Sequence, residues 1–231
     1  MKEVHDVVFL VDVDNTLLDN DRIQDDIRGH LAECFGEECR DRYWAILNQL
    51  FEELGYRDYL GALQRYRVEH PRDVRLLSMS SFLVDYPFAD RLYPAALDVL
   101  RRLAGWGRPV LLSDGDVVFQ PRKVERSGLF RAVGGHVLIY IHKEDQLEDV
   151  EARYPARHYV LIDDKLRILS AVKATWGARV TTVFPRQGSY ANDPALVSAY
   201  PPPDLTVARV SELLLLDRAR LVSPRGEDRA L

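Results

Sequence analysis

Cysteine is scarce in this sequence, whose 231 residues include only Cys34 and Cys39. Two cysteines exclude the scaffold of a small secreted protein that is held together by several disulfides. A zinc site is not predicted either, since no second pair of cysteine or histidine residues at ligand spacing accompanies them. We expect both residues to be free thiols in a reducing cytoplasm.

An excess of positive charge and long hydrophobic runs are also missing. Lys and Arg number 31 against 36 Asp and Glu, a formal net charge of −5 that argues against nucleic-acid binding. The first apolar run, Val7–Val11, is too short for a signal-peptide core. The late run Leu213–Leu216 is far below the ~20 residues of a membrane helix. We therefore expect a cytoplasmic protein with no nucleic-acid and no membrane partner.

The hydrophobic residues present, 47% of the chain, are enough for a sizeable core and exclude wholesale disorder. The length predicts one large domain, or a core that carries a smaller insertion. Helical segments beginning near Pro94, Pro121 and Lys165 alternate with strand-like runs, which predicts an α/β fold with a parallel sheet and helices on both faces. The strand-like runs are Val7–Val11, Pro109–Leu112, Val137–Ile141, His158–Ile162, Arg179–Phe184 and the short Leu205–Val207.

Residues 20–88 interrupt this alternation. Their apolar residues recur every three or four positions, and no strand-like stretch intervenes, so we predict an all-helical insertion. The core is then formed by residues 1–19 and 89–231. Five aromatic residues are expected to build the interior of the insertion: Tyr43, Trp44, Phe51, Tyr56 and Tyr59.

Asp12 and Asp14 follow the first predicted strand, in Asp12-Val13-Asp14-Asn15-Thr16. In an open α/β sheet, ligands bind beyond the carboxyl ends of the strands, so both acids are expected at a ligand site. Two carboxylates at this spacing can share one hard cation, while one attacks as a nucleophile and the other transfers protons. A solvated turn would explain the pair equally well if nothing else matched.

Three further polar groups follow other strands. Ser113 ends the second core strand, Lys143 follows the third, and Asp163-Asp164 end the fourth. Taken singly, each is explained by helix capping or by an ordinary surface lysine. Because the carboxyl ends of parallel strands converge, all of these groups are predicted to meet at one site, which capping does not explain.

In order and context, these residues resemble the four motifs of the haloacid dehalogenase-like hydrolase superfamily. The resemblance covers nearly the whole chain. It implies a Rossmann-like core, in which the insertion after the first motif is the cap domain. It also implies Mg²⁺-dependent hydrolysis of a small phosphorylated metabolite, a phosphate monoester.

The resemblance also implies a role for each motif residue. Asp12 is expected to be the nucleophile that forms an aspartyl-phosphate, and Asp14 the general acid and base. Ser113 is expected to hydrogen-bond a phosphoryl oxygen. Lys143 is expected to offset the negative charge around the nucleophile and the phosphate.

The implied Mg²⁺ ligands are an oxygen of Asp12, the backbone carbonyl of Asp14 and the acids of the fourth motif. Aligning on the residue after the strand leaves both Asp163 and Asp164 open as the direct ligand, and favours Asp164. Asn15 stands where the family more often has glycine; asparagine tolerates unusual backbone angles.

Other polar residues rank lower. Lys123 lies within a predicted helix and ranks below Lys143 as the lysine of the third motif. Asp116 is interpreted as a turn acid. The loop of residues 185–190 is expected at the mouth of the site, where Arg186 could hold a substrate anion, although a solvated arginine is the more common case.

Alternative functions remain open at this point. The superfamily also contains phosphomutases, which share every motif found here, and haloacid dehalogenases. Halide leaves without a proton and those dehalogenases lack the second acid, so Asp14 favours phosphoryl transfer. A phospho-acceptor receiver domain has its acid pair before the acceptor, the reverse of the order here. A non-catalytic binding protein with the same fold is the remaining alternative.

Overall fold

The computed structural model describes residues 4–222. The predicted core also includes residues 1–3 and 223–231, which lie outside the described residues. The six strands of this part are β1 (His5–Val11), β2 (Arg108–Asp114), β3 (Val137–Tyr140), β4 (Ala156–Ile162), β5 (Val180–Pro185) and β6 (Leu205–Val207). The first six helices are α1 (Asn20–Phe35), α2 (Glu37–Leu54), α3 (Tyr59–Glu69), α4 (Leu76–Asp85), α5 (Ala96–Ala104) and α6 (Phe119–Arg126). The other helices are α7 (Leu129–Ala132), α8 (Leu147–Arg153), α9 (Leu166–Trp176), α10 (Gly188–Asn192), α11 (Pro194–Ser198) and α12 (Arg218–Val222). Short 3₁₀ helices span Phe88–Arg91, Lys143–Asp145, Gly177–Arg179 and Val210–Leu215.

The strands form one parallel sheet in the order β3-β2-β1-β4-β5-β6. β1 is therefore central, with β2 on one side and β4 on the other. All carboxyl ends lie along the same edge of the sheet, as the sequence predicts. This arrangement confirms the α/β fold.

Successive side chains of the central strand point to opposite faces of the sheet, and both faces are buried. Val7, Phe9 and Val11 join one hydrophobic cluster, and Val8 and Leu10 join the other. All five have at most 2% of their surface exposed. Burying each such side chain contributes about 1.5–3 kcal/mol, so the position of the first motif at the end of β1 is firmly fixed.

The helical insertion, residues 20–88, contains α1 to α4 and no strand. In α1 one residue in each turn is buried, namely Ile23, Ile27, Leu31 and Phe35. These side chains belong to the same cluster as one face of β1. The apolar interior of the insertion is therefore continuous with the hydrophobic cluster on one side of the sheet.

Helix α6 begins two residues before Pro121, the residue predicted to open it. Asp116 explains the earlier start, because its Oδ1 accepts hydrogen bonds from the backbone N–H groups of Val118, at 2.7 Å, and Phe119, at 2.6 Å. Pro121 lies in the first turn, where its missing N–H removes no intrahelical bond. Asp116 is thus a turn acid, as predicted.

Among residues 4–222, no helix combines the length and the apolar character needed to cross a membrane. Cys34 is exposed, Cys39 is buried, and both are free thiols, as the sequence predicts.

Candidate active site

Asp12 and Lys143 form the centre of the site. Asp12 follows β1, and its backbone N–H donates to the carbonyl of Ile162 at the end of β4, at 2.9 Å. Lys143, which begins the 3₁₀ helix after β3, places its Nζ 2.5 Å from Asp12 Oδ1 and 2.6 Å from Asp163 Oδ2. It also donates to the carbonyl of Leu112 on β2, at 3.1 Å. One buried ammonium group thus connects residues that lie in or follow four neighbouring strands.

Three buried carboxylates gather beside this lysine. Asp12, Asp163 and Asp164 each present an oxygen within 4.8 Å of the others. Asp163 is engaged at both oxygens, because Oδ1 accepts from the N–H of Lys165 at 2.8 Å and Oδ2 pairs with Lys143. Both oxygens of Asp164, Oδ2 of Asp12 and Oδ2 of Asp163 are buried without a hydrogen-bond partner among the described residues. Of these, Oδ2 of Asp163 has the ion pair with Lys143.

The lysines around this cluster do not supply enough positive charge to balance its buried carboxylates. Burial raises the pKa of Asp12 to about 6, and Asp163 adds to the rise while Lys143 opposes it. Burial, followed by the charges of Asp12 and Asp163, also holds the pKa of Asp164 well above its usual range, against the charge of Lys165. An unpartnered buried carboxylate is costly. Oxygen ligands alone, with excess negative charge, fit a hard cation such as Mg²⁺.

Asp14 lies outside this cluster and has its own partner. Lys123 of α6 places its Nζ 2.7 Å and 2.8 Å from the two carboxylate oxygens of Asp14, and 3.0 Å from Oδ1 of Asn20 at the start of α1. The Lys123 side chain is buried, with 1% of its surface exposed. The two acids of the first motif are therefore held by two different lysines. Lys123, which the sequence ranked below Lys143, contacts the second acid.

Replacement of Lys123 by methionine is expected to lower kcat by about 10²-fold or more, the range of general acid–base catalysis. Without the ammonium group, nothing in this arrangement holds the Asp14 carboxylate in place. Steady-state kinetics on protein whose folding is verified by circular dichroism measures the effect. Lys173→Met is the matched control, because it removes a lysine 2.7 Å from Asp204, away from the site. A folded Lys123→Met protein with wild-type kcat would show that Lys123 does not position Asp14.

Ser113 lies within β2 and is 1% exposed. Its Oγ accepts a hydrogen bond from Nε2 of Gln120 in α6, at 2.8 Å. Asp114, the next residue, accepts the backbone N–H of Lys143 at 2.8 Å and so fixes the start of the 3₁₀ helix. Burial raises the pKa of Asp114, and Lys143 opposes the rise.

Asn15 adopts a left-handed backbone conformation, with φ of 59°, in agreement with the sequence argument. Its side-chain Oδ1 accepts from the N–H groups of Asn20, at 3.0 Å, and Asp21, at 3.2 Å. Gly188, at the start of α10, packs against this side chain so closely that a Cβ there would lie 2.5 Å from the Asn15 Cβ. The loop after β1 is thus tied to the first helix of the insertion and to α10.

A cavity of about 490 Å³ lies between the strand ends and the insertion. From the core it is lined by Asp14, Asp114, Asp164, Lys165, Ser189 and Tyr190, among others; from the insertion by Arg28, Phe51, Tyr56, Arg57 and Tyr59. The volume falls in the range of small-molecule sites. The structure therefore brings the second acid of the first motif, an acid of the fourth and the insertion to one cavity.

Two of the aromatic predictions for the insertion are wrong. Phe51 is 37% exposed, and both Phe51 and Tyr56 lie on the cavity wall instead of in the interior. Tyr43 and Trp44 are buried as predicted, and Tyr59 is buried but also borders the cavity.

The loop of residues 185–190 reaches the cavity through Ser189 and Tyr190, as expected of its position after β5. Arg186 is exposed and is not among the residues that line this cavity. Both observations agree with the interpretation of Arg186 as a solvated side chain.

Several residues around the site were missed from the sequence. Asn20 contacts Lys123 from a helix 103 positions away along the chain, and Gln120 contacts Ser113 from the helix that follows β2, seven positions on. No local pattern indicates either contact. Lys165 directly follows the acid pair, and that position was a usable signal. Its pKa is raised by Asp164 and Asp12, against the effect of burial.

Neither the protein-family models nor the curated proteins give a match to this sequence. Among solved structures, a protein from Burkholderia xenovorans named as a haloacid dehalogenase-like hydrolase is 63% identical, with a TM-score of 0.88. The match covers 92% of this chain and 99% of that one. The chain belongs to the haloacid dehalogenase-like hydrolases. The family resemblance seen in the sequence is thereby confirmed.

More distant members of this family share the fold. A HAD-hydrolase from Bacillus subtilis, solved with bound magnesium, is 16% identical with a TM-score of 0.59, over 92% of this chain and 98% of that one. The L-2-haloacid dehalogenase from Xanthobacter autotrophicus, with chloropropionic acid covalently bound, is 17% identical with a TM-score of 0.56, over 91% and 97%. At these identities the likeness concerns the Rossmann-like fold alone.

Proposed function

We propose that this haloacid dehalogenase-like hydrolase cleaves small phosphate monoesters in a Mg²⁺-dependent reaction, through an aspartyl-phosphate on Asp12. The observation that carries the proposal is the second acid, Asp14, which is held by Lys123 apart from the Asp12 cluster. An alkoxide leaving group needs a proton, whereas a halide does not. A separately held acid two residues after the nucleophile therefore favours ester cleavage over dehalogenation.

Asp164 is the best candidate for the direct acidic ligand of the fourth motif, because both its oxygens are free while those of Asp163 are engaged. Asp12 and the backbone carbonyl of Asp14 would complete the protein ligands. When bound, Mg²⁺ would offset the negative charge between nucleophile and phosphate and polarise a phosphoryl oxygen.

The residues of this chain divide the reaction into two displacements. In the first, a carboxylate oxygen of Asp12 attacks phosphorus, the bond to the leaving oxygen breaks, and Asp14 gives that oxygen a proton. In the second, Asp14 takes a proton from water, which attacks phosphorus and releases Asp12. The hydroxyl of Ser113 would donate to a phosphoryl oxygen, and Lys143 would balance the charge around Asp12.

The insertion, residues 20–88, is proposed to act as the cap domain over a core of residues 1–19 and 89–231. Support comes from its contribution of Arg28, Arg57 and Tyr59 to the cavity wall. Covering the strand ends would exclude bulk water from the phosphorylated nucleophile.

Release of inorganic phosphate from p-nitrophenyl phosphate and a panel of phosphorylated metabolites, with and without Mg²⁺, tests this function. Chloride release from 2-chloropropionate is measured in parallel, because it detects the dehalogenase chemistry of the same family. We expect phosphate release that depends on Mg²⁺, and no chloride above the buffer control. Chloride release, or phosphate release that is indifferent to chelation, would contradict the proposal.

A further inference from the structure

Two arginines of the insertion face the cavity with their charge unpaired. Arg28 lies over the ring of Trp44, with its Cζ 4.3 Å from the ring centroid. Arg57 lies 5.2 Å from the ring centroid of Phe51, and its Nη1 donates to Asn48 Oδ1 at 3.1 Å. Neither takes part in an ion pair within the part of the chain that the structure describes. Stacking on an aromatic ring pre-orients a guanidinium group and leaves its N–H edge free to bind.

Carboxylates also occur around these arginines. Asp58, next to Arg57 in the chain, accepts the backbone N–H of Gly61 at 2.7 Å, where it caps α3. Asp21 and Asp25 line the cavity, and Asp21 accepts the N–H of Ser189 at 2.7 Å. The pKa of Asp41 is lowered mainly by its hydrogen bond with Arg40 and, to a smaller extent, by the charge of Arg28. None of these acids forms an ion pair with Arg28 or Arg57 within residues 4–222.

Tyr59 adds an unpartnered donor to the same wall. It is 3% exposed and borders the cavity, and its hydroxyl is buried without a hydrogen-bond partner among the described residues. Its ring packs on Phe119, with centroids 4.8 Å apart. Burial raises the pKa of this hydroxyl, the charge of Arg57 lowers it and that of Asp14 raises it, so the hydroxyl is within electrostatic reach of both. A buried hydroxyl without a partner is costly and points to a ligand.

The same cavity is lined by acids of the proposed phosphate site, Asp14 and Asp164. A substrate whose phosphate is held beside these acids would place its leaving group in the cavity that Tyr59 and Arg57 also line. We propose that Arg28, Arg57 and Tyr59 bind a second anionic group, a carboxylate or a phosphate, on the leaving group of the ester. This inference rests on the proposed function and names its substrate class. Planar arginine forks match both kinds of oxyanion, and the phenol supplies a third donor.

Binding of non-hydrolysable phosphonates tests the inference without turnover. Isothermal titration in the presence of Mg²⁺ compares 3-phosphonopropionate with propylphosphonate, which has the same length and lacks the carboxylate. We expect the carboxylate to tighten binding by about 10- to 100-fold, the range of a charge-assisted arginine pair. Ethane-1,2-diylbisphosphonate, which has the same two methylenes between its anionic groups, shows which of the two anions the wall prefers.

Three variants assign the effect to residues. Arg57→Gln and Arg28→Gln are each expected to bring the affinities of 3-phosphonopropionate and propylphosphonate closer together, and Tyr59→Phe to weaken 3-phosphonopropionate by about 5- to 10-fold, the loss of one hydrogen bond. Arg67→Gln is the matched control, since Arg67 is exposed on α3 and is not among the residues lining the cavity. It should leave the ratio of the two affinities unchanged.

Equal affinity for 3-phosphonopropionate and propylphosphonate, binding of neither, or an affinity ratio that survives the combined Arg28→Gln and Arg57→Gln substitutions would overturn the inference. Phosphate release from p-nitrophenyl phosphate separates this failure from that of the proposed function. An enzyme that hydrolyses this ester but shows no preference for a second anion retains the proposed function and loses only the subsite. A chain that hydrolyses no ester loses the proposed function, whatever the phosphonates show.

Discussion

Asp12→Asn is expected to reduce phosphate release by about 10⁴-fold or more, the scale of loss when a catalytic nucleophile is removed. Asparagine keeps the size of the side chain, and its amide is a far weaker nucleophile than a carboxylate, so the phosphorylated intermediate cannot form. The rate of phosphate release measures the loss. Incubation with a ³²P-labelled ester, followed by acid quench, should label the wild-type protein and leave the variant unlabelled.

A loss caused by misfolding is distinguished by two controls. Asp98→Asn makes the same change at an exposed residue of α5, whose partner is Arg101, and should keep wild-type activity. Far-UV circular dichroism of Asp12→Asn should match the wild type. Equal phosphate release from Asp12→Asn and the wild type would refute Asp12 as the nucleophile.

Asp164→Asn and Asp14→Asn are expected to separate metal binding from proton transfer. In Asp164→Asn the Mg²⁺ affinity should fall by more than the ~10- to 100-fold typical of losing an outer-shell partner, because the variant loses a carboxylate with two free oxygens. In Asp14→Asn kcat should fall by about 10²- to 10⁴-fold, while the Mg²⁺ affinity stays close to that of the wild type. The side chain of Asp14 pairs with Lys123 and takes no part in the cluster.

Calorimetric titration with MgCl₂ and steady-state kinetics on each protein provide the two readouts. Asp193→Asn is a suitable control, because Asp193 is an exposed cap of α11, where its Oδ1 accepts from the N–H of Ala195 at 2.8 Å. If the loss of Mg²⁺ affinity in Asp14→Asn equalled that in Asp164→Asn, the division of roles between the two acids would be wrong.

The fold could be predicted from the sequence wherever local pattern and tertiary position agree. β1 is recognisable because every residue of Val7–Val11 is apolar and most are β-branched, which is typical of a strand buried on both faces. Helix α1 is recognisable from one buried residue per turn. The start of α6 was misplaced by two residues, since the proline signal is weaker than the cap that Asp116 provides.

The only site residues that could be predicted from the sequence are those that follow the converging ends of the strands. Asp12, Lys143 and Asp163 meet because each follows a strand of one parallel sheet, and that rule needs no knowledge of distances. The partnership of Lys123 with Asp14 joins residues 109 positions apart through the packing of a helix side chain, so no spacing rule reveals it. The cavity position of Phe51 depends in the same way on how the insertion sits over the sheet, and helical periodicity does not report that.

The side chain of Asn15 has a consequence for substrate exchange. Its carbonyl oxygen holds the first backbone amides of α1, and the residue next to it in the chain is Asp14. If the insertion acts as the proposed cap, its movement must either break these bonds or carry the backbone next to Asp14 along with it. Under the proposed function, closure of the cap and placement of the acid would then be coupled through Asn15.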